Sequence, residues 1–222
     1  MLLLGTVMKT SIRENKALDD AHDSAPTAVK ATVRRGRLGN KAYRSREYLT
    51  PKEVERLMAA ARKRSRYGHR DQTAILLAFR HGLRASELCT LRWDQIDFSR
   101  GLLHIHRLKN GTPSVHPMSG IEIRALRRLE RESESGRYIF CTERGGPLTR
   151  TGFRRMIERT GEAAKFPFRI HPHMLRHSTG YKLANDGVDT RSLQHYLGHR
   201  NIQHTTRYAE LSPKRFEGFW KD

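Results

Sequence analysis

Apolar positions recur with a helical period only from Thr50 onward. Thr50-Pro51-Lys52-Glu53 has the form of a capping box with proline at the first helical position. Val54, Leu57, Met58 and Ala61 follow as an apolar stripe. A basic loop, RKRSRYGHR (62–70), leads to a second, more apolar helix, DQTAILLAFRHG, stopped by Gly82. Residues 85–91 predict another short helix. The period then changes: 94–97 reads as a turn, and LLHIHRLK with NGTPSVHPM reads as two strands around a hairpin at Lys109-Asn110-Gly111. Helix returns from Ser119 to Arg131, with Ile123, Leu126 and Glu130 on one side and a basic stripe of Arg124, Arg127, Arg128 and Arg131. YIFCTERGGPLT reads as a short strand and a Gly-Gly turn. Residues 149–164 predict a helix with Phe153, Met156 and Ile157 apolar and Arg150, Arg154, Arg155 and Arg159 basic. Three more helices follow: one opened by His171-Pro172-His173, one from Asp189-Thr190 to Leu197 stopped by Gly198, and one from Asn201 to Leu211. A last piece from Ser212-Pro213 carries Phe216, Phe219 and Trp220. The pattern predicts a mostly α protein with a small antiparallel β-sheet and no internal repeat.

Charge narrows the class of partner. The 222 residues carry a net charge of +20 and a pI near 10.8, which points to a polyanion. The excess is not confined to a tail: residues 1–47 hold ten Lys/Arg against five Asp/Glu, and the remainder holds 33 against 18. The first 47 residues lack sustained periodicity and read as a flexible basic arm, and 48–222 as the folded domain. Two isolated cysteines, Cys89 and Cys141, make no disulfide framework and fit a reducing cytoplasm; Cys89 reads as core. No apolar run approaches the ~20 residues of a membrane helix. The apolar start MLLLGTVM lacks a basic n-region and a cleavage site, so it is not read as a signal peptide, and Met8 is an alternative start.

The chemistry sits in a constellation. Arg84 follows Gly82 at a predicted helix start, and Arg176 lies three residues after His173, on one helix face. Arginine forks neutralise phosphoryl oxygens bidentately. His173 and His199 follow Pro172 and Gly198, and Tyr208 lies nine residues beyond His199. Among 43 Lys/Arg, 12 histidines and seven tyrosines, any one of these is by default a surface or packing residue. Together they supply phosphate binding, proton transfer and a nucleophile. Lys109, at the hairpin tip, adds a proton donor for a departing oxygen. Metal is not expected: His195 and His199 are four apart, but Gly198 breaks that helix, no HExxH motif is present and no cysteine is near.

GLRASELCTLRW, RLKNG, HPHMLRHS and YLGHRNIQHTTRY, in that order, resemble the tyrosine recombinase (phage-integrase) family over residues 48–222. IHPHMLRHS, ANDGVDTR, YLGHRNIQHT and RFEGFW are especially similar to the short recombinases that invert the type 1 fimbrial promoter switch. The resemblance implies the family's catalytic-domain fold and a site-specific recombinase. Arg84 and Arg176 would bind the scissile phosphate, Lys109 would be general acid, and His173 general base and phosphate ligand. His199 would hydrogen-bond the phosphate, Tyr208 would form a 3′-phosphotyrosine, and Glu87 would buttress the site. No cofactor is implied. Arg150, Thr151, Arg154 and Arg155, on the helix resembling the family's major-groove helix, would contact DNA. The implied partners are double-stranded DNA with paired recombination sites, three further protomers docked through the C-terminal segment to make a homo-tetramer, and accessory DNA-bending proteins. The implied location is the cytoplasm, on the nucleoid. The 47 preceding residues are too few for the family's N-terminal DNA-clamping domain, as in the fimbrial subgroup. Two rival readings stay open here: nicking and closing in the manner of a type IB topoisomerase, and a DNA-binding regulator with relict catalytic residues.

Overall fold

The computed structural model describes residues 46–107, 112–132 and 136–210. The basic arm up to residue 45, Lys109 and the segment with Phe216, Phe219 and Trp220 lie outside the described residues.

Helix α1 (Pro51–Arg64) starts as the sequence predicts. The Glu53 amide donates to Thr50 Oγ1, and the Thr50 amide donates to Glu53 Oε2 at 2.8 Å, closing the capping box. Its stripe of Val54, Leu57 and Ala61 is buried. Helix α2 (Gly68–Arg80) is the central post, with Ala74 to Phe79 buried without interruption. The predicted loop 62–70 is shorter than expected. Lysine and arginine are good helix formers and suit a helix C-terminus, so α1 runs on to Arg64. Gly68 opens α2 because a Cβ there would stand 2.0 Å from the Arg62 carbonyl oxygen.

Short helix α3 (Ala85–Cys89) follows, and Cys89 is buried in the core. The stretch expected to be a turn contains a 3-10 turn (Trp93–Gln95) and a third strand. β1 (Ile96–Asp97), β2 (Leu102–Ile105) and β3 (Ser114–Pro117) form an antiparallel sheet in that order, with Leu103 opposite both Ile96 and His116. Gln95 Nε2 donates to the His104 carbonyl at 2.7 Å and locks this edge. Helix α4 (Gly120–Glu132) buries Glu122, Leu126 and Leu129, while Glu130 is exposed rather than on the buried side. YIFCTERGGPLT does not form a named strand. It makes isolated bridges, Arg92 to Tyr138 and Cys141 to Pro147, around a turn at Gly145.

Helices α5 (Arg150–Ala163) and α6 (Pro172–Asn185) carry the next layer. The first turns Phe153, Met156 and Ile157 inward; the second is buried on almost every side from Met174 to Tyr181. Two hydroxyls of α6 bond back along the helix, Ser178 Oγ to the Met174 carbonyl at 2.8 Å and Thr179 Oγ1 to the Leu175 carbonyl at 3.1 Å, and Ser178 Oγ also accepts from the Leu49 amide at 2.7 Å. Helices α7 (Thr190–Leu197) and α8 (Gln203–Glu210) close over α6. Their contact forms a second, smaller core of Tyr181, Ala184, Leu193, Leu197 and Tyr208, beside the main one.

Candidate active site

Five of the six residues read as catalytic fall in the described structure, and they gather where α3, α6, α7 and α8 meet. Arg84 is the N-cap of α3. Its Nη1 donates to Glu87 Oε1 at 2.7 Å and its amide to Glu87 Oε2 at 2.9 Å, so Glu87 fixes both the cap and the fork. The Arg84 side chain stays 27% exposed while that of Glu87 is 2% exposed. Burial raises the Glu87 carboxyl, but the charge of Arg107 and the Arg84 bonds outweigh it and hold the group below the usual carboxylate range.

Arg176 is buried in α6. Its Nη1 donates to the Gly82 carbonyl at 2.5 Å and its Nη2 to the Leu197 carbonyl at 2.6 Å. These are the carbonyls of two helix-end turns, and both turns need glycine. Gly82 has φ +59° and Gly198 φ +62°, a region costly for residues with a Cβ. Burial, then the charges of Arg84 and Arg107, push the Arg176 guanidinium down to about 9. A pocket in which three cations oppose one another across a single carboxylate is built for an anion.

His173 lies in the first turn of α6 with its ring at the surface. The packed protein behind it still withdraws enough water, with Arg176 and Arg84 adding charge, to lower its pKa. His199 leaves the Gly198 turn and shares a hydrogen bond from Nδ1 with Thr205 Oγ1 at 2.8 Å. Burial first, then Arg176 and Arg84, push it down to about 3, so its ring is neutral.

Tyr208 of α8 is 1% exposed. Its hydroxyl shares a 2.8 Å hydrogen bond with His177 Nδ1, its ring meets Tyr181 edge-on, and His173 packs edge-on against His177. The α6 backbone permits this because residue 180 is glycine: a Cβ there would come within 2.7 Å of the Tyr208 ring. Burial raises the phenol above its ordinary pKa, against the lowering charges of Arg176 and Arg207. The nucleophile therefore starts protonated and needs a base.

Sequence reasoning missed two residues. His177 was given no role, although its i+4 spacing from His173 on one helix face was a usable signal. Arg107 was read only as part of RLKNG. Arg150, Thr151, Arg154 and Arg155 are all exposed on α5, on the side away from Phe153, Met156 and Ile157.

Residues 47–215 match the profile of the phage integrase family. The chain is 42% identical over 187 residues to the type 1 fimbriae regulatory protein FimB of Escherichia coli (strain K12), covering 82% of this chain and 93% of that protein. It is 44% identical over 182 residues to FimE of the same strain, covering 79% and 91%. Tyrosine recombinase XerC of Bacillus subtilis (strain 168) is 32% identical over 175 residues, covering 75% of this chain and 57% of that protein. In fold, the chain superposes on the crystal structure of XerA recombinase with a TM-score of 0.69 at 23% identity, covering 79% of this chain and 65% of that one. A lambda integrase dimer bound to a COC' core site gives a TM-score of 0.60 at 23% identity, covering 79% and 50%.

Proposed function

The chain belongs to the phage integrase family and is a site-specific tyrosine recombinase, and we propose that its clustered side chains divide the reaction as follows. Arg84 and Arg176 hold the non-bridging oxygens of the scissile phosphate, where charge builds in the transition state. His199, fixed through Nδ1 on Thr205, offers Nε2 to the same phosphate. Tyr208 Oη attacks phosphorus, its proton passes to His173, and the bond to the 5′ oxygen breaks as Lys109 protonates it. A 3′-phosphotyrosine results. The 5′ hydroxyl of a partner strand then reverses the step, and two such exchanges pass through a Holliday junction. The phosphotyrosine retains the bond energy, so rejoining consumes no nucleotide. The observation that carries this reading is the convergence of Arg84, braced by Glu87, and Arg176 on one cationic pocket, with Tyr208 of α8 packed against α6, the helix that carries Arg176 and His173.

DNA is the partner of this chemistry. Paired inverted sites would give inversion, the outcome that the sequence resemblance to the recombinases of the type 1 fimbrial switch implies. Arg150, Thr151, Arg154 and Arg155 of α5 would face the duplex, and residues 1–47 would serve as a basic arm beside the domain 48–222. A homo-tetramer on DNA joined through Phe216, Phe219 and Trp220, with accessory DNA-bending proteins, is part of the same proposal, as is a place in the cytoplasm on the nucleoid. No helix among the described residues is long and apolar enough to cross a membrane.

Two linked experiments test the function. Fragments from the neighbouring genome are incubated with the protein, denatured in detergent, and the DNA that stays covalently attached is sequenced. A supercoiled plasmid carrying two recovered sites in inverted orientation is then exposed to the protein. Inversion of the intervening segment is the expected result. Relaxation without inversion, equal on plasmids lacking the sites, would replace the proposal with a nicking-closing activity.

A further inference from the structure

We propose that Arg107 is a positioning residue of the recombinase site, holding Glu87 so that Arg84 keeps its charge and its fork for the scissile phosphate. The inference rests on the reading of Arg84 as a phosphate ligand. The Arg107 side chain is 0% exposed and sits where α3, the end of α2 and the end of α7 meet. Nη1 donates to Glu87 Oε2 at 2.8 Å. Nη2 donates to the Tyr196 carbonyl at 2.5 Å and makes a long contact of 3.5 Å with the His81 carbonyl. Its stem and Nε fill the space over Gly198, where a Cβ would lie 2.8 Å from Nε. One carboxylate is thus shared by two guanidinium groups. Without Arg107, the buried negative charge of Glu87 would face Arg84 alone and cancel the charge meant for phosphate.

A purely structural role, neutralising a buried carboxylate, explains less. Glu87 already accepts from one Arg84 guanidinium nitrogen, Nη1, and from the Arg84 amide. The second Arg107 nitrogen is committed to the α7 carboxy-terminal turn, from which His199 leaves for the site. The same fork therefore ties together the two segments that present Arg84 and His199. Lysine cannot reproduce it, because one ammonium lacks the planar pair of donors.

The test compares Arg107→Lys, Arg84→Ala and wild type on a duplex carrying the site recovered above. One version has an ordinary scissile phosphate; the other has a methylphosphonate, which lacks the negative charge that the arginines neutralise. For Arg107→Lys, melting temperature and duplex affinity should stay near wild type. Its first-order cleavage rate at saturating DNA should fall by roughly 10- to 100-fold on phosphate and by much less on methylphosphonate. Wild-type cleavage of phosphate by Arg107→Lys overturns the proposal. So does methylphosphonate rescue of Arg84→Ala but not of Arg107→Lys. Failure of methylphosphonate to rescue Arg84→Ala faults the reading of Arg84 instead. Should Arg107→Lys not fold, the paired variant Arg107→Met/Glu87→Gln removes both buried charges; with no carboxylate left to oppose Arg84 it should cleave phosphate well above Arg84→Ala, and an Arg84→Ala-like loss that methylphosphonate rescues overturns the proposal.

Discussion

Gly180 bears directly on how the nucleophile is held. Alanine there would gain about 1 kcal/mol of helix propensity. It would also drive a methyl into the Tyr208 ring, at 2.7 Å, inside a packed core where overpacking costs about 1–3 kcal/mol. The clash wins, and the ring is what moves. Gly180→Ala should therefore lose up to about 2 kcal/mol of stability in chemical denaturation, while covalent cleavage falls at least ~10-fold. The proton acceptor gives a second test. Desolvation and the charges of Arg176 and Arg84 lower the His173 pKa, so the base stays unprotonated to lower pH than a free imidazole. Single-turnover cleavage should be flat through neutral pH and lose rate on acidification only below about pH 6.5; an acid limb centred above that value would contradict the assignment. At this scale the local motifs were legible: Arg84 beside Gly82, and His173 three residues before Arg176. Arg107 was not, because its partners Glu87 and Tyr196 lie 20 and 89 residues away and only the fold unites them.

Helix α5 turns a basic outer face, with Arg150, Arg154 and Arg155, to solvent. Among the described residues Arg154 pairs with Glu158, one turn on, and Arg155 is exposed. Replacing both by alanine should change stability by well under 1 kcal/mol, as for surface sites generally. Duplex affinity should weaken, with the slope of log affinity against log salt falling by about one per lost phosphate contact. An unchanged salt slope would remove α5 from the DNA interface. Element by element, strong periodicity and capping chemistry told most: the Thr50 box, Pro172 at a helix start and Gly198 at a helix stop are all where the sequence placed them. The third strand escaped notice because two residues, Ile96 and Asp97, are too few to show a period and are held by Gln95 and β2 instead. The start of α2 escaped because Gly68 usually signals a break, whereas here it permits a close helix crossing.

Across the whole molecule, buried histidines make the fold sensitive to acid. Burial leads in pushing His116 and His177 down to about 3, whereas an unfolded chain titrates near 6.5. Below about pH 6.5 the unfolded state therefore binds protons that the folded state refuses. Stability contributed by these groups is whole above that pH and declines as pH falls toward 3, by up to ~1.4 kcal/mol per pH unit for each histidine. Melting temperature should hold between pH 8 and about 7 and drop steadily between about 6.5 and 5; a flat profile would show that these rings are not desolvated in the folded state. The mostly helical class and the polyanionic partner were readable from pattern and charge. The second core around Tyr208 was not, since it is assembled from three separate helices. That core leads to the central claim, that Tyr208 breaks the DNA strand. Its most direct test is to digest the covalent protein–DNA adduct with protease and nuclease and identify the modified residue by mass spectrometry. A nucleotide phosphate on Tyr208, with no adduct from Tyr208→Phe despite retained DNA binding, is the predicted result. A nucleotide on any other side chain, or an undiminished adduct from Tyr208→Phe, would contradict it.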